Sequence, residues 1–561
     1  MKKGKNLARI AVTAGLTMAM TLGGVALPAT SALAATTGNV TILKNANNNA
    51  DETTTLGYQI FTGDVVDSGT SKTVSNIDWA STEVGTVVVA QIKALDSTYA
   101  GKTAQDAADY LSTHLPAEGS SGTSTIIESN KLYSNIANAL RADTSLTPKT
   151  LKAGEENKQN LSAGYWLFLT DTTSTANTDS ASKVDQVGSA PIYAVVGGSA
   201  LKISPKTDLP KVTKEVKNDA TGAGWSNVAD SQVGQNLQYR LTGTVADALP
   251  SYTTYYYKFT DTLSAGLTAD STSVAVTVKT DGKEYTVPPT SNTTVLTTNY
   301  TTSLASNDDG TSTLGVEFTN LKSLKDASGV EIPVNAKTEV YVTYNAKLNS
   351  SAVMASGYND NSVKLTYSNN PGTDSKGDST PSTVRDYTYK LNLVKVDSSQ
   401  QSTKLSGAKF TIQATKPDEG TGTVTQYVQA DGTLGTDAHE FTTDDNGSIS
   451  VSGLDVGTYK VVETQAPEGY NTVASFTFTI APTYENGALT KVTASTSDAT
   501  AADASVGSDD AVTVTVKDKA GMGLPLTGQA GVTATWIAGG VVLAIGVTHL
   551  VRSRREGGSE E

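Results

Sequence analysis

Short runs of alternating apolar and polar residues, separated by Gly, Asn and Asp turns, recur along most of this chain, and some carry an ionisable side chain on the apolar face. Alternation with a period of two marks a half-buried strand, whose side chains two apart face the same side. On that count Leu391, Leu393 and Lys395 share a face, as do Tyr459, Val461 and Glu463, and as do Val512, Val514, Val516 and Asp518. Earlier in the chain Val212, Lys214 and Val216 align, then Tyr255, Tyr257, Phe259 and Asp261, then Asn359, Asn361, Val363, Leu365 and Tyr367. A core closing over such faces has to bring lysine and acid together, because charges left there unpaired are very costly. Burial also favours the neutral forms, lowering a lysine's pKa and raising a carboxyl's.

Thr, Val, Ser, Gly and Tyr dominate and segments of helical period are few, so the chain is expected to be mainly β, as tandem sandwiches of immunoglobulin type. Two segments do carry apolar residues at helical spacing, 104–115 and 130–142, the latter with Leu132, Ile136 and Leu140. They make the first domain α+β. There is no cysteine, so an exported form of this chain has no disulfide staple and any crosslink must come from other side chains.

Both ends speak for export. Lys2, Lys3, Lys5 and Arg9 precede an apolar stretch from Ile10 to Leu27, and Ala32-Leu33-Ala34 supplies a small-x-small cleavage site, so residues 1–34 read as a secretory signal and Ala35 as the mature start. At the other end Leu524-Pro525-Leu526-Thr527-Gly528 precedes an uncharged span over 532–551, followed by Arg552, Arg554 and Arg555. Such a span is long enough to cross a bilayer, with the arginines held on the cytoplasmic side. Loss of the leader moves the net charge from −14 to −18, which excludes a nucleic-acid ligand: an acidic chain repels phosphate.

The mature length exceeds one core and divides into residues 35–206, 207–386 and 387–520, with the pentapeptide, the span and the arginines in a tail at 521–561. The polar stretch 372–386, which contains Pro381, is expected to be a linker. In the third domain Tyr459-Lys460-Val461-Val462-Glu463-Thr464-Gln465-Ala466-Pro467-Glu468-Gly469-Tyr470 resembles the E-box of Gram-positive pilins. Lys395-Val396-Asp397, followed by Leu405-Ser406-Gly407-Ala408-Lys409-Phe410, resembles the opening of a collagen-adhesin B-type domain. Leu524 to Gly528, the span and the basic tail resemble a cell-wall sorting signal, and Val212 to Val216, Phe259 to Leu263 and Asn361 to Pro371 resemble the middle domain of backbone pilins.

The resemblance to sortase-assembled major pilins implies specific chemistry. A first-strand lysine joins a last-strand Asn or Asp through an isopeptide bond promoted by a buried acid. For the third domain that implies Lys395 with Asp518, promoted by Glu463; for the middle domain, Lys214 with Asn361, promoted by Asp261, with Asn359 at the same parity as the alternative. Strand parity agrees with both. The first domain shows no such trio: Lys44 has suitable parity, but Leu169 stands where the acid would be. The resemblance further implies that a sortase cuts Thr527–Gly528 and that Lys206, in Ile203-Ser204-Pro205-Lys206, receives the next subunit's threonine carbonyl.

A protein of that kind is a structural shaft subunit of a wall-anchored pilus on a Gram-positive surface, serving adhesion. Its partners are further copies of itself, a pilin-specific sortase, peptidoglycan and ancillary pilins. A monomeric wall-anchored adhesin or an ancillary pilin would share these features without needing the acceptor lysine. A wall-anchored carbohydrate-active enzyme would need paired acids in an aromatic cleft, and four tryptophans offer little for one. No cofactor or metal is expected; Asp270-Ser271-Thr272-Ser273 falls short of a metal-dependent adhesion motif at Thr272.

Overall fold

The computed structural model describes residues 35–521 apart from 45–52, 68–71, 115–126, 156–158, 172–187, 204–208, 218–223, 291–298, 355–356 and 418–422. The leader, Lys206, the pentapeptide Leu524 to Gly528 and the apolar span 532–551 lie outside the described residues. Among the described residues no helix is long and apolar enough to cross a membrane. The chain forms two compact units. One takes most of the chain up to Tyr387; the other takes Thr388 onward together with Ser231–Val233 and Met354–Gly357.

The first unit opens with a sheet in the order Lys72–Trp79, Thr54–Asp67, Gly164–Asp171, Ile192–Val196, with Lys149–Lys152 paired to Thr54–Asp67. Its strand Gly164–Asp171 is buried on both faces. Tyr165, Leu167 and Leu169 enter a core shared with three helices, while Trp166 and Phe168 meet Val40, Ile42 and Ile203 of a small three-stranded sheet. Leu169, at the place where an acid was sought, is thus a core residue. The helices are α1 (Thr82–Leu95), α2 (Ala104–Thr113) and α3 (Leu132–Ala142). The last two stand where the spacing predicts them, and α2 is closed by a capping box between Thr103 and Asp106. Helix α1 is not signalled by spacing. Its Thr86-Val87-Val88-Val89 run has strand propensity, yet Val84, Val88 and Ile92, four apart, are among the side chains it buries, and Ser81 caps its first turn.

After residue 211 the same unit builds two sheets. One runs Trp225–Ser226, Val212–Lys217, Asn236–Thr244, Glu339–Leu348, Leu267–Thr280, Lys283–Val287. The other runs Val228–Asp230, Ser382–Tyr387, Asn359–Ser368, Tyr257–Leu263, Ser312–Phe318, Thr301–Ser306, with Lys376–Asp378 paired to Asn359–Ser368. The expected linker over 372–386 is corrected here: most of it is sheet. Ser382-Thr383-Val384-Arg385-Asp386-Tyr387 alternates, pairs with Asn359–Val363 and buries Val384 and Asp386. Pro381 precedes this strand, where its missing N–H costs no ladder bond.

The second unit pairs a four-stranded sheet, Ser448–Leu454, Tyr389–Asp397, Val512–Asp518, Ala502–Val506, with a larger one. The larger sheet runs Leu434–Gly435, Thr423–Val428, Lys409–Pro417, Gly457–Gln465, Phe476–Glu485, Ala488–Thr496, and Phe441–Thr442 adds to Lys409–Pro417. The unit's first and last long strands, Tyr389–Asp397 and Val512–Asp518, are parallel neighbours, with Lys395 opposite Val516 and Asp397 opposite Asp518. The described residues are mainly β, with the three helices confined to the segment before residue 143.

Candidate functional site

In the second unit the three faces predicted from alternation close on one another. Leu391, Leu393, Tyr459, Val461, Val512, Val514 and Val516 are buried, and with them Lys395, Glu463 and Asp518. Lys395 and Asp518 sit diagonally across the parallel pair, two residues out of register on one face, a separation that a long side chain spans. Lys395 donates to Asp518 Oδ1, and its Nζ lies 2.9 Å from Glu463 Oε1, which comes from the opposing sheet. The Phe410 ring centroid lies 5.3 Å from the same nitrogen. Glu463 is fixed from behind by the Val473 amide, which donates to its Oε2 at 2.7 Å. Burial raises both carboxyls, Glu463 and Asp518, against the opposing pull of the Lys395 charge and, at Glu463, of the Val473 amide. Two carboxyls that share one lysine in a dry core hold a proton readily.

The first unit holds a second cluster, spanning the two sheets built after residue 211. Lys214 Nζ donates to Asp261 Oδ2 at 2.5 Å and to the Tyr344 hydroxyl at 3.0 Å. Tyr344 in turn donates to Asp261 Oδ2 at 2.6 Å and accepts from Asn361 Nδ2 at 2.7 Å. The stacked rings of Tyr239 and Tyr344, 5.3 Å apart, both lie against the amine, 5.0 and 5.2 Å from their centroids. Burial pushes the Lys214 amine down to about 8, with the Asp261 charge pulling the other way. Asn359 is occupied elsewhere. Its Oδ1 accepts from the Val353 amide at 2.9 Å, and its Nδ2 donates to the carbonyls of Val353 and Asp386. Only Asn361 of the two reaches the tyrosine that touches Lys214 and Asp261. Asn361 is not on the last strand of its sandwich, since Ser382–Tyr387 lies beyond it in the chain and pairs with it.

Each cluster thus buries an amine in contact with an acid; Asp518 touches Lys395 directly, whereas Asn361 joins Lys214 through the Tyr344 hydroxyl. Residues 389–498 match the SpaA family of prealbumin-like fold domains. The matched stretch contains Lys395 and Glu463 but stops before Asp518. Solved structures similar to the chain include three pilins. The T6 backbone pilin of serotype M6 Streptococcus pyogenes is 17% identical over 87% of this chain and 99% of its own, with a TM-score of 0.47. The full-length major pilin SpaD from Corynebacterium diphtheriae is 16% identical over 87% and 98%, with a TM-score of 0.43. The Corynebacterium diphtheriae major pilin SpaA is 14% identical over 86% and 100%, with a TM-score of 0.42. No curated protein matches the chain.

Beside the Lys395 cluster, Tyr470, which ends the Tyr459–Tyr470 stretch, hydrogen-bonds Asp397 Oδ2 at 3.0 Å and ties that loop to the strand bearing Lys395. Sequence reasoning missed Tyr344. The signal was present: Val340, Val342, Tyr344, Ala346 and Leu348 alternate as one buried face, and a tyrosine in such a face needs a partner for its hydroxyl. Asp270 to Ser273, the near-match to a metal motif, lies at a register shift in the strand Leu267–Thr280, where the Thr272 amide and hydroxyl donate to Asp270 Oδ1.

The depressed Lys214 amine carries a pH prediction. If Lys214 is the nucleophile that the pilin resemblance implies, attack needs its neutral form, whose fraction falls about tenfold for each pH unit below the pKa. Ammonia loss at the Lys214 cluster, followed by intact mass during folding, is therefore expected to accelerate with pH up to about 8 and to level off above it. A rate flat between pH 6 and 8 would contradict the assignment of Lys214 as nucleophile.

Proposed function

We propose that this chain is the shaft subunit of a covalently polymerised pilus anchored to a Gram-positive cell wall, and that each buried cluster closes an isopeptide bond. One observation carries the reading: two separate β-sandwiches of a cysteine-free chain each bury a lysine against an acid, with Asp518 in contact with Lys395 and Asn361 bridged to Lys214 by one tyrosine hydroxyl. Neither arrangement is an economical way to stabilise a fold, because ion pairs this deep repay their desolvation poorly. Both gather the groups of an isopeptide bond into one buried cluster.

At Lys395 the neutral amine attacks Cγ of the protonated Asp518 carboxyl, the bond from Cγ to the hydroxyl oxygen breaks, and Glu463 carries the amine proton to the departing hydroxyl, which leaves as water. At Lys214 the amine attacks Cγ of Asn361, Asp261 takes its proton, and ammonia leaves. Both are single events that alter the protein itself. An amide between Tyr389–Asp397 and Val512–Asp518 carries load that the ladder of hydrogen bonds between those strands would otherwise bear.

Polymerisation belongs to the sequence ends. A pilin-specific sortase would cleave Thr527–Gly528 and pass the threonine carbonyl to Lys206 of the next copy, and the finished polymer would be joined to peptidoglycan with ancillary pilins. Surface extracts boiled in detergent test this. A ladder of high-mass species is expected from cells carrying the sortase and none without it; a single monomer joined to wall peptide would instead establish a monomeric adhesin.

A further inference from the structure

The Tyr344 hydroxyl touches all three members of the Lys214 cluster, and its hydrogen-bonding capacity is fully used there. A phenol has one proton to donate and two lone pairs. Tyr344 gives the proton to Asp261 Oδ2 and accepts from Lys214 Nζ and from Asn361 Nδ2, with all four residues buried. Asn361 Nδ2, the nitrogen that must leave as ammonia, thus donates to the phenol rather than to the acid. Asp261 Oδ1 and Asn361 Oδ1 have no hydrogen bond among the described residues. The acid is therefore placed to collect the amine proton, while delivery of a proton to the leaving nitrogen runs through the phenol.

We propose that Tyr344 is a catalytic residue of the Lys214–Asn361 bond, relaying a proton from Asp261 to the departing nitrogen. The inference rests on the isopeptide reading of this cluster. Nζ of Lys214 bonds to Cγ of Asn361 and yields its proton to Asp261. As the Cγ–Nδ2 bond breaks, Tyr344 passes its own proton to Nδ2 and takes one from Asp261. The products are a secondary amide and ammonia, and the acid and phenol end in their starting protonation states. The same ring stacks on Tyr239 and lies against the amine, so the relay group is held by packing that does not depend on its hydroxyl.

Tyr344→Phe keeps that ring and removes the relay. The mature chain, Ala35 to Thr527, made by cell-free translation and sampled into acid, would be followed by intact mass. General acid–base groups contribute on the order of a hundredfold or more, and a slowing of ammonia loss by about that factor is expected in Tyr344→Phe. Water loss at Lys395 in the same molecules should keep its rate. Ammonia loss at the unaltered rate would overturn the role of Tyr344 and leave the bond standing, whereas a natural chain that never loses ammonia would remove the bond and the relay together. If Tyr344→Phe proves protease-sensitive in the middle domain, the chain made with fluorotyrosine decides the matter. Fluorination keeps every ring and acidifies the phenol, so ammonia loss should change in rate; an unchanged rate would overturn the relay.

Discussion

Intact-mass measurement of the mature chain, Ala35 to Thr527, is expected to fall short of the sequence mass by one ammonia and one water. The two losses report different clusters. Asp261→Ala should restore the ammonia alone, because the amine of Lys214 then has no acceptor for its proton beside Asn361. Glu463→Ala should restore the water alone, since Lys395 and Asp518 remain in contact but nothing carries the proton to the leaving oxygen. Asp261→Ala also leaves Lys214 buried without its acid, which costs about 3–5 kcal/mol by the usual penalty for breaking a buried pair, whereas Lys395 keeps Asp518 in Glu463→Ala. Proteolysis should accordingly reach the altered domain first and leave the other intact, as strand ends no longer joined by an amide are free to fray. A natural chain at its full sequence mass would remove both bonds at once.

The second large effect is on assembly. Lys206→Ala is expected to abolish the detergent-resistant ladder while leaving export and both mass losses as they are, because Lys214 and Lys395 lie in separate buried clusters. Lys206→Arg should behave in the same way: a guanidinium remains protonated and cannot act as the nucleophile. Tandem mass spectrometry of digested polymer should find one branched peptide joining the Thr527 carbonyl to the Lys206 side chain. A branch at Lys202 or Lys211 would keep the shaft reading and move the acceptor. Lys202 lies in the strand Leu201–Ile203, and Lys211 donates its backbone amide to Thr244 just before the next strand, so both flank the segment that carries Lys206.

Much of this was legible from period alone. A strand has a fixed two-residue alternation, so a lysine or acid in line with valines and leucines announces its own burial before any partner is known. Parity put Lys214, Asp261, Asn361, Lys395, Glu463 and Asp518 on inward faces, and all six are buried, while their grouping into trios was implied by the pilin resemblance. Helical spacing likewise marked α2 and α3. It did not mark α1, where three consecutive valines carry the propensity of a strand and the docking of Val84, Val88 and Ile92 on the sheet decides for a helix.

The sequence by itself determined which residues would face inward, because that follows from covalent geometry and the cost of burying charge. Only the tertiary structure decided which inward-facing groups meet. Asn359 and Asn361 have the same parity, and what separates them is that the loop at Val353 folds back to take up the Asn359 amide. Tyr344 enters the Lys214 cluster because Glu339–Leu348 pairs with Asn236–Thr244, which pairs with Val212–Lys217. Residues 372–386, polar enough to suggest a linker, became sheet because an open edge beside Asn359–Val363 offered their backbone the hydrogen bonds that water would otherwise supply. Such pairings join residues distant in sequence, and no local period encodes them.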